Sequence, residues 1–226
     1  MGWGNLLRQT GHKLAARVKV ALADFDADAG FLPNFVQTAN DTQDYYDFDL
    51  VYLPFPSGVV VRGGLIELPD VPRFSLPAMR DFMVETPQEL DVDVVVGLTR
   101  HLIANEKFSD LFTDSHVRNS KVRFVSTYGV RDYARQAGVS FAKATFSLCL
   151  TELLRQDERW ALKEHEETVG CLLDFCDNRD DLVVSLKLMK FEHATCRTKV
   201  HDLGMLEAID RLLDLELEEK LAAAEA

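Results

Sequence analysis

Apolar and polar positions along this chain follow two periods, that of a strand and that of a helix, and their order sketches a fold. Residues 5–25 begin with a helix-compatible spacing (Leu6, Leu7, Leu14, Ala15, Val18) that runs into the strand-compatible Val18-Lys-Val-Ala-Leu22, so helix and strand both stay open there. From Asp24 to Asp49 the chain is rich in Asp, Gly, Pro and Asn, which predicts loops or short elements. Asp49-Leu-Val-Tyr-Leu53 reads as a strand stopped by Pro54 and Pro56. Val59-Val-Val-Arg62 reads as a second short strand, turned by Gly63-Gly64. After Ser75, the helical recurrence of Leu76, Met79, Phe82 and Met83 predicts a helix within 75–90. Val92-Asp-Val-Val-Val-Gly-Leu98 is a short β-branched run typical of a buried strand, and Val122-Arg-Phe-Val-Ser-Thr-Tyr128 is also strand-like. Ser140 is a good N-cap for a helix carrying Phe141, Thr145, Phe146, Cys149, Leu150, Leu153 and Leu154. A further short helix is expected over Asp180–Met189. From Met205 to Ala226, Leu206, Ile209, Leu212, Leu213, Leu215 and Leu217 stand among acids and alanines. That pattern is an amphipathic helix, either docked on the body or presented to a partner.

Strands alternating with helices, followed by a helical C-terminal half, predict an α/β (α+β) domain. The 226 residues suit one large domain or one domain with appendages, and 47% hydrophobic residues are enough for a real core. The formal net charge of -12 argues against nucleic-acid binding through bulk electrostatics, because phosphate neutralisation needs a basic face. No apolar run approaches the ~20 residues that span a bilayer, so no membrane partner is expected. Residues 1–6 lack a signal-peptide core, and Leu6 stands where a myristoylation pattern wants Ser or Thr.

Candidate chemistry concentrates between His165 and Cys196. The segment reads His165-Glu-Glu-Thr-Val-Gly-Cys171-Leu-Leu-Asp-Phe-Cys176, then sixteen residues, then His193-Ala-Thr-Cys196. Soft ligands clustered in this way point to zinc in a reducing, cytoplasmic setting rather than to a disulfide scaffold. Elsewhere the signals are weaker. Cys149 lies on an apolar helix and reads as core. A Cys–His hydrolase built from Cys149 or Cys171 with His101 or His165 has no local signature. Neither Ser57-Gly58 nor Gly63-Gly64 belongs to a phosphate-binding loop. The acids Asp174, Asp177, Asp180 and Asp181 read as a solvated face.

Three further features carry a resemblance. They are Val96-Gly97-Leu98-Thr99, Val125-Ser126-Thr127-Tyr128-Gly129-Val130-Arg131, and the spacing of six residues from His165 to Cys171-Leu172-Leu173. In this order they resemble the archaemetzincins, a family of zinc metallopeptidases. The family's matching features are a Gly-Val/Leu-Thr strand, an edge-strand Val-Ser-Thr-Tyr segment, and a last catalytic histidine before a Cys-Val/Leu-Met turn. The resemblance covers residues 49–200 and implies a zincin-like mixed sheet with packed helices. Residues 1–48 would then be an N-terminal segment with loops, and residues 201–226 a C-terminal amphipathic helix. The family's catalytic helix carries His-Glu-x-x-His-x-x-Gly-x-x-His, whose first two histidines share one helix face and meet one zinc ion. This chain has no His-x-x-x-His pair. With Thr151-Glu152-Leu153-Leu154-Arg155 in that frame, Glu152 survives while Thr and Arg replace both ligands. With Ser147 and Thr151 in the frame, the glutamate is lost as well. Glu152 and His165 are then the remaining catalytic candidates, and a non-catalytic member is expected.

The resemblance also implies a structural zinc held by cysteines. Here Cys171 matches the turn cysteine, His193-x-x-Cys196 stands for the family's Cys-x-x-Cys, Glu166 replaces one cysteine, and Cys176 is an extra thiol. Cys171, Cys176, His193 and Cys196 make a Cys₃His set that would close a tetrahedral Zn²⁺ site. The competing reading makes Cys171 and Cys176 small buried hydrophobes. A protein partner is expected on the remnant cleft, the edge strand 122–128 or the C-terminal helix. The alternative is an active zinc hydrolase using His165 with carboxylates such as Glu152 or Glu166.

Overall fold

Every residue of β5 (Val94–Thr99) is buried, and a strand of that kind needs a cover on both faces. In the computed structural model it lies inside a four-stranded sheet with β1 (Val18–Asp24), β2 (Tyr46–Tyr52) and β7 (Val122–Ser126). The order is β2-β1-β5-β7, and each neighbouring pair is parallel. The described residues are 17–54, 60–61, 73–105, 111–113, 120–156, 168–174, 176, 179–190, 194–202 and 205–215. Gly97 faces Phe124 across the β5–β7 register, and a Cβ there would meet the Phe124 ring at 2.7 Å. Only glycine allows that approach.

A smaller sheet joins β3 (Val60–Val61), β4 (Arg73–Ser75) and β6 (Leu102–Ala104) in the order β3-β4-β6, with β3 antiparallel to β4 and β4 parallel to β6. Successive side chains of β1 feed two cores. Val20 and Leu22 point into the larger one with α1 (Leu32–Thr42), α4 (Val130–Ala137) and α5 (Phe141–Gln156). Ala21 and Ala23 point into the smaller one with Phe74 and with Met79 and Met83 of α2 (Leu76–Met83). The short α3 (Thr86–Glu89) leads into β5.

The helices predicted after Ser75 and Ser140 form. Ser75 Oγ accepts from the Ala78 N–H at 3.5 Å and Ser140 Oγ from the Lys143 N–H at 3.1 Å, as N-caps do. Helix α6 (Arg179–Leu188) occupies the expected place, with Asp180 and Asp181 in its first turn, where the helix dipole favours acids.

One region differs from the expectation. The stretch expected as loops or short elements contains the 11-residue α1, whose Pro33 sits in the first turn, where a missing N–H is harmless, and whose Leu32, Phe35 and Ala39 form a buried stripe. Together with β1 it puts central parts of the sheet upstream of residue 49, where the resemblance set the boundary. Strand β7 ends the sheet, and its outer side is flanked at Val125 and Ser126. The Ser126 N–H donates to the Phe112 carbonyl at 2.8 Å, and Thr113 bridges Val125 antiparallel, so Leu111–Thr113 flanks β7.

At the C-terminal end, α8 (Leu206–Leu213) docks on the body. It buries Ala208, Ile209, Leu212 and Leu213, and Arg211 donates to the Thr42 carbonyl at 3.3 Å. Residues 216–226 of the expected helix, and the Gly63-Gly64 turn, lie outside the described residues. Among the described residues no single helix is long and apolar enough to cross a membrane.

Candidate metal site and the end of helix α5

The last turns of the long helix α5 carry Ser147, Thr151, Glu152 and Arg155, the residues that the resemblance sets against the family's catalytic frame. Glu152 is fully buried and Arg155 nearly so. They form an ion pair of 3.0 Å one helical turn apart, and Arg155 reaches Thr113 Oγ1 at 3.4 Å. Thr151 points its hydroxyl at two carbonyls, Ser147 at 3.0 Å and Leu172 at 2.9 Å, and Ser147 donates to the Ala144 carbonyl at 2.8 Å. In either register the positions that would carry histidines hold hydroxyls engaged with backbone carbonyls, or a guanidinium. A guanidinium stays protonated and offers no lone pair to a metal. Counting back from His165 at the family's spacing gives a third register, with Arg155 and Arg159 on the first two histidines and Gln156 on the glutamate. His165 and Arg159 lie outside the described residues.

The turn after α5 is built differently. The Asp174 carboxylate is buried, and its Oδ2 accepts from the Gly170 N–H at 2.7 Å, the Cys171 N–H at 3.0 Å and the Ser185 hydroxyl at 2.6 Å. Three donors on one oxygen pin the backbone of Gly170–Cys171 to α6. Gly170 has φ +86°, and any Cβ there would collide with Leu188, so glycine is required. Cys171 is fully buried and bridges Lys190 in parallel, with the Leu172 N–H donating to the Lys190 carbonyl at 3.0 Å. Leu173, in the place of the family's methionine, is fully buried too.

Cys196 comes in from α7 (Ala194–Asp202), buried and in hydrogen-bonding contact with Cys171. That bond, then burial, raises the Cys196 thiol pKa well above its ordinary value. The Leu173 N–H points at Cys171 Sγ at 3.5 Å, and N–H groups aimed at sulfur suit a thiolate. Cys176 lies 3.6 Å from Ser185 Oγ, and burial pushes its pKa up to about 11.

Of the expected Cys₃His set, Cys171 and Cys196 are therefore in contact and Cys176 is on the same turn system, while His193 lies outside the described residues. Among the described residues no three His, Cys, Asp or Glu side chains gather into a metal-holding group. The paired buried thiols, with an N–H donor on one of them, fit a thiophilic ion such as Zn²⁺.

Other candidates separate. Cys149 is buried in the larger core, and burial raises its pKa. His101 sits edge-on to Phe74 at 4.8 Å beside the smaller core, with a pKa lowered by burial and by Arg100. They stand in different cores and form no nucleophile–base pair. Of the acidic run, Asp177 lies outside the described residues and Asp180 is exposed. Asp174 is the residue that reading the acids as solvated missed. Its one sequence signal was a position next to the buried pair Leu172-Leu173.

No family model matches this chain, and no curated protein matches it in sequence. Solved structures do resemble it. Archaemetzincin from Methanopyrus kandleri superposes with a TM-score of 0.60 at 14% identity, over 84% of this chain and 97% of that one. A zinc-dependent peptidase from Methanocorpusculum labreanum gives 0.52 at 13% identity, over 80% and 99%. Archaemetzincin from Archaeoglobus fulgidus, complexed with malonate, gives 0.51 at 12% identity, over 80% and 99%. The chain therefore has the archaemetzincin fold, as the motif resemblance implied.

Proposed function

We propose that this chain uses the archaemetzincin fold without its peptidase chemistry, as a zinc-stabilised protein that works by binding a protein partner. The observation that carries this reading is the buried Glu152–Arg155 ion pair at the end of α5. A catalytic zinc needs about three protein ligands and an open position for water. A fixed guanidinium beside that position opposes a dication and neutralises the carboxylate that would serve as general base.

The zinc we propose is the structural one, held by Cys171, Cys176, His193 and Cys196. The contact between Cys171 and Cys196 supports it, as does the description of one structural neighbour as zinc-dependent. When bound, such an ion cross-links α7 to the turn after α5, and its binding energy adds to folding. Free thiols of this kind suit a reducing cytoplasm. Without catalysis the remaining activity is recognition, and the remnant of the fold's substrate cleft or the strand 122–128 is the surface we assign to it.

Zinc analysis with a peptide-hydrolysis assay tests the reading on wild type, Cys196→Ser and His165→Ala. The expected result is one zinc per wild-type chain, lost in Cys196→Ser and kept in His165→Ala, with no hydrolysis in any sample. Hydrolysis by wild type that disappears with zinc in His165→Ala would establish instead the active hydrolase built on His165 and carboxylates.

A further inference from the structure

The outer edge of β2 carries an arrangement that neither the zinc reading nor the cleft requires. The Val18 N–H donates to the Tyr45 carbonyl at 2.9 Å, so odd-numbered residues of the β2 segment face β1. The strand period then turns the backbone groups of Tyr46, Phe48, Leu50 and Tyr52 outward. A free row of such groups is a template for another strand.

Here side chains of the same molecule occupy that row. Asn40, near the end of α1, accepts from the Phe48 N–H and donates to the Phe48 carbonyl, both at 2.8 Å. Gln43, just after α1, accepts from the Tyr46 N–H at 2.7 Å and donates to the Tyr46 carbonyl at 2.9 Å. Each amide gives a donor and an acceptor to one outward residue, as a residue of a paired antiparallel strand would, and Gln43 also accepts from the Tyr45 N–H at 2.7 Å and donates to the Ala39 carbonyl at 3.2 Å. The next outward N–H, that of Leu50, goes to the Asp49 carboxylate at 2.9 Å. Asp47 and Asp49 are exposed on the same strand, in a chain of net charge -12.

We propose that Asn40, Gln43 and Asp49 close the edge of β2 against strand pairing with a second copy of this chain. The two amides stand in for the missing neighbour, and the acids repel a copy that approaches. Strand addition by a partner is thereby directed away from β2. The inference stands independently of the zinc site.

The test uses the full chain with Asn40→Ala and Gln43→Ala combined, sedimentation velocity over a range of concentrations, and amide hydrogen exchange. In dilute solution the Tyr46 and Phe48 amides should exchange roughly tenfold faster, or more, than in wild type. As concentration rises, the variant should sediment as a larger species than wild type, with those two amides protected again. A folded variant that sediments like wild type at every concentration overturns the proposal. So does a larger species in which the Tyr46 and Phe48 amides still exchange quickly. If the double variant does not fold, Asn40→Ala alone exposes only Phe48, and the same outcomes apply to that residue.

Discussion

The end of α5 and the turn from Gly170 to Asp174 meet at the hydrogen bond from Thr151 to Leu172, yet they carry opposite chemistries. On α5 the polar groups are hard, with a glutamate paired to an arginine and hydroxyls bonded to carbonyls. On the turn, a buried carboxylate accepts from two backbone N–H groups and the Ser185 hydroxyl, and Cys171 lies beside Cys196 of α7. Both regions belong to the same zinc-peptidase fold. Where the resemblance sets the family's catalytic frame this chain has an internal ion pair, while the neighbouring turn holds a cysteine beside a second one from α7.

The comparison is most sharply broken at Glu152. Glu152→Ala removes the carboxylate paired with the largely buried Arg155 guanidinium and should cost about 3–5 kcal/mol in urea unfolding. Replacing both Glu152 and Arg155 by Met should restore stability to within about 1 kcal/mol, since an apolar pair of similar volume commonly matches a buried ion pair. A mild effect of the single change would mean that the pair is solvated and the catalytic position is not filled.

Asp174→Ala comes next. It strips the acceptor from two N–H groups and a hydroxyl, and a loss of about 2–3 kcal/mol is expected in the metal-free protein. Thr151→Val removes the bond that joins the two regions and should cost about 1 kcal/mol. In a double-mutant cycle, Thr151→Val and Asp174→Ala should couple, because both act on the backbone of one turn.

The smallest effect concerns His101, outside both regions. Burial and Arg100 lower its pKa in the folded state, so the unfolded chain binds a proton first. Its contribution is complete above the unfolded value of about 6.5 and is lost as pH falls below it. Substituting His101 by Phe should flatten that part of the stability–pH curve, and an unchanged slope would place the histidine in solvent.

Much of this was legible in the sequence, for physical reasons. The β-branched run of β5 and the Ser140-capped periodicity of α5 are local signals, and both elements form. The Glu152–Arg155 spacing was legible as one helical turn, but its burial was not, because that depends on Thr113 and the body packing around α5. Helix α1 was hidden because Asn34, Asn40 and Asp41 look like loop residues, although Asn40 is spent on the edge of β2. The role of Asp174 was hidden because its three donors come from backbone and from Ser185 on α6, which only tertiary structure brings together. Cys171 and Cys196 are linked in the sequence by the cluster of soft ligands and by the family resemblance, while spacing alone leaves buried hydrophobes equally admissible.

X-ray absorption at the zinc edge of the purified wild-type chain tests the central claim most directly. The account predicts a closed four-ligand shell dominated by sulfur at about 2.3 Å, with one nitrogen and no water. A shell of nitrogen and oxygen with an exchangeable water would contradict it and move the metal from the thiol turn to the end of α5.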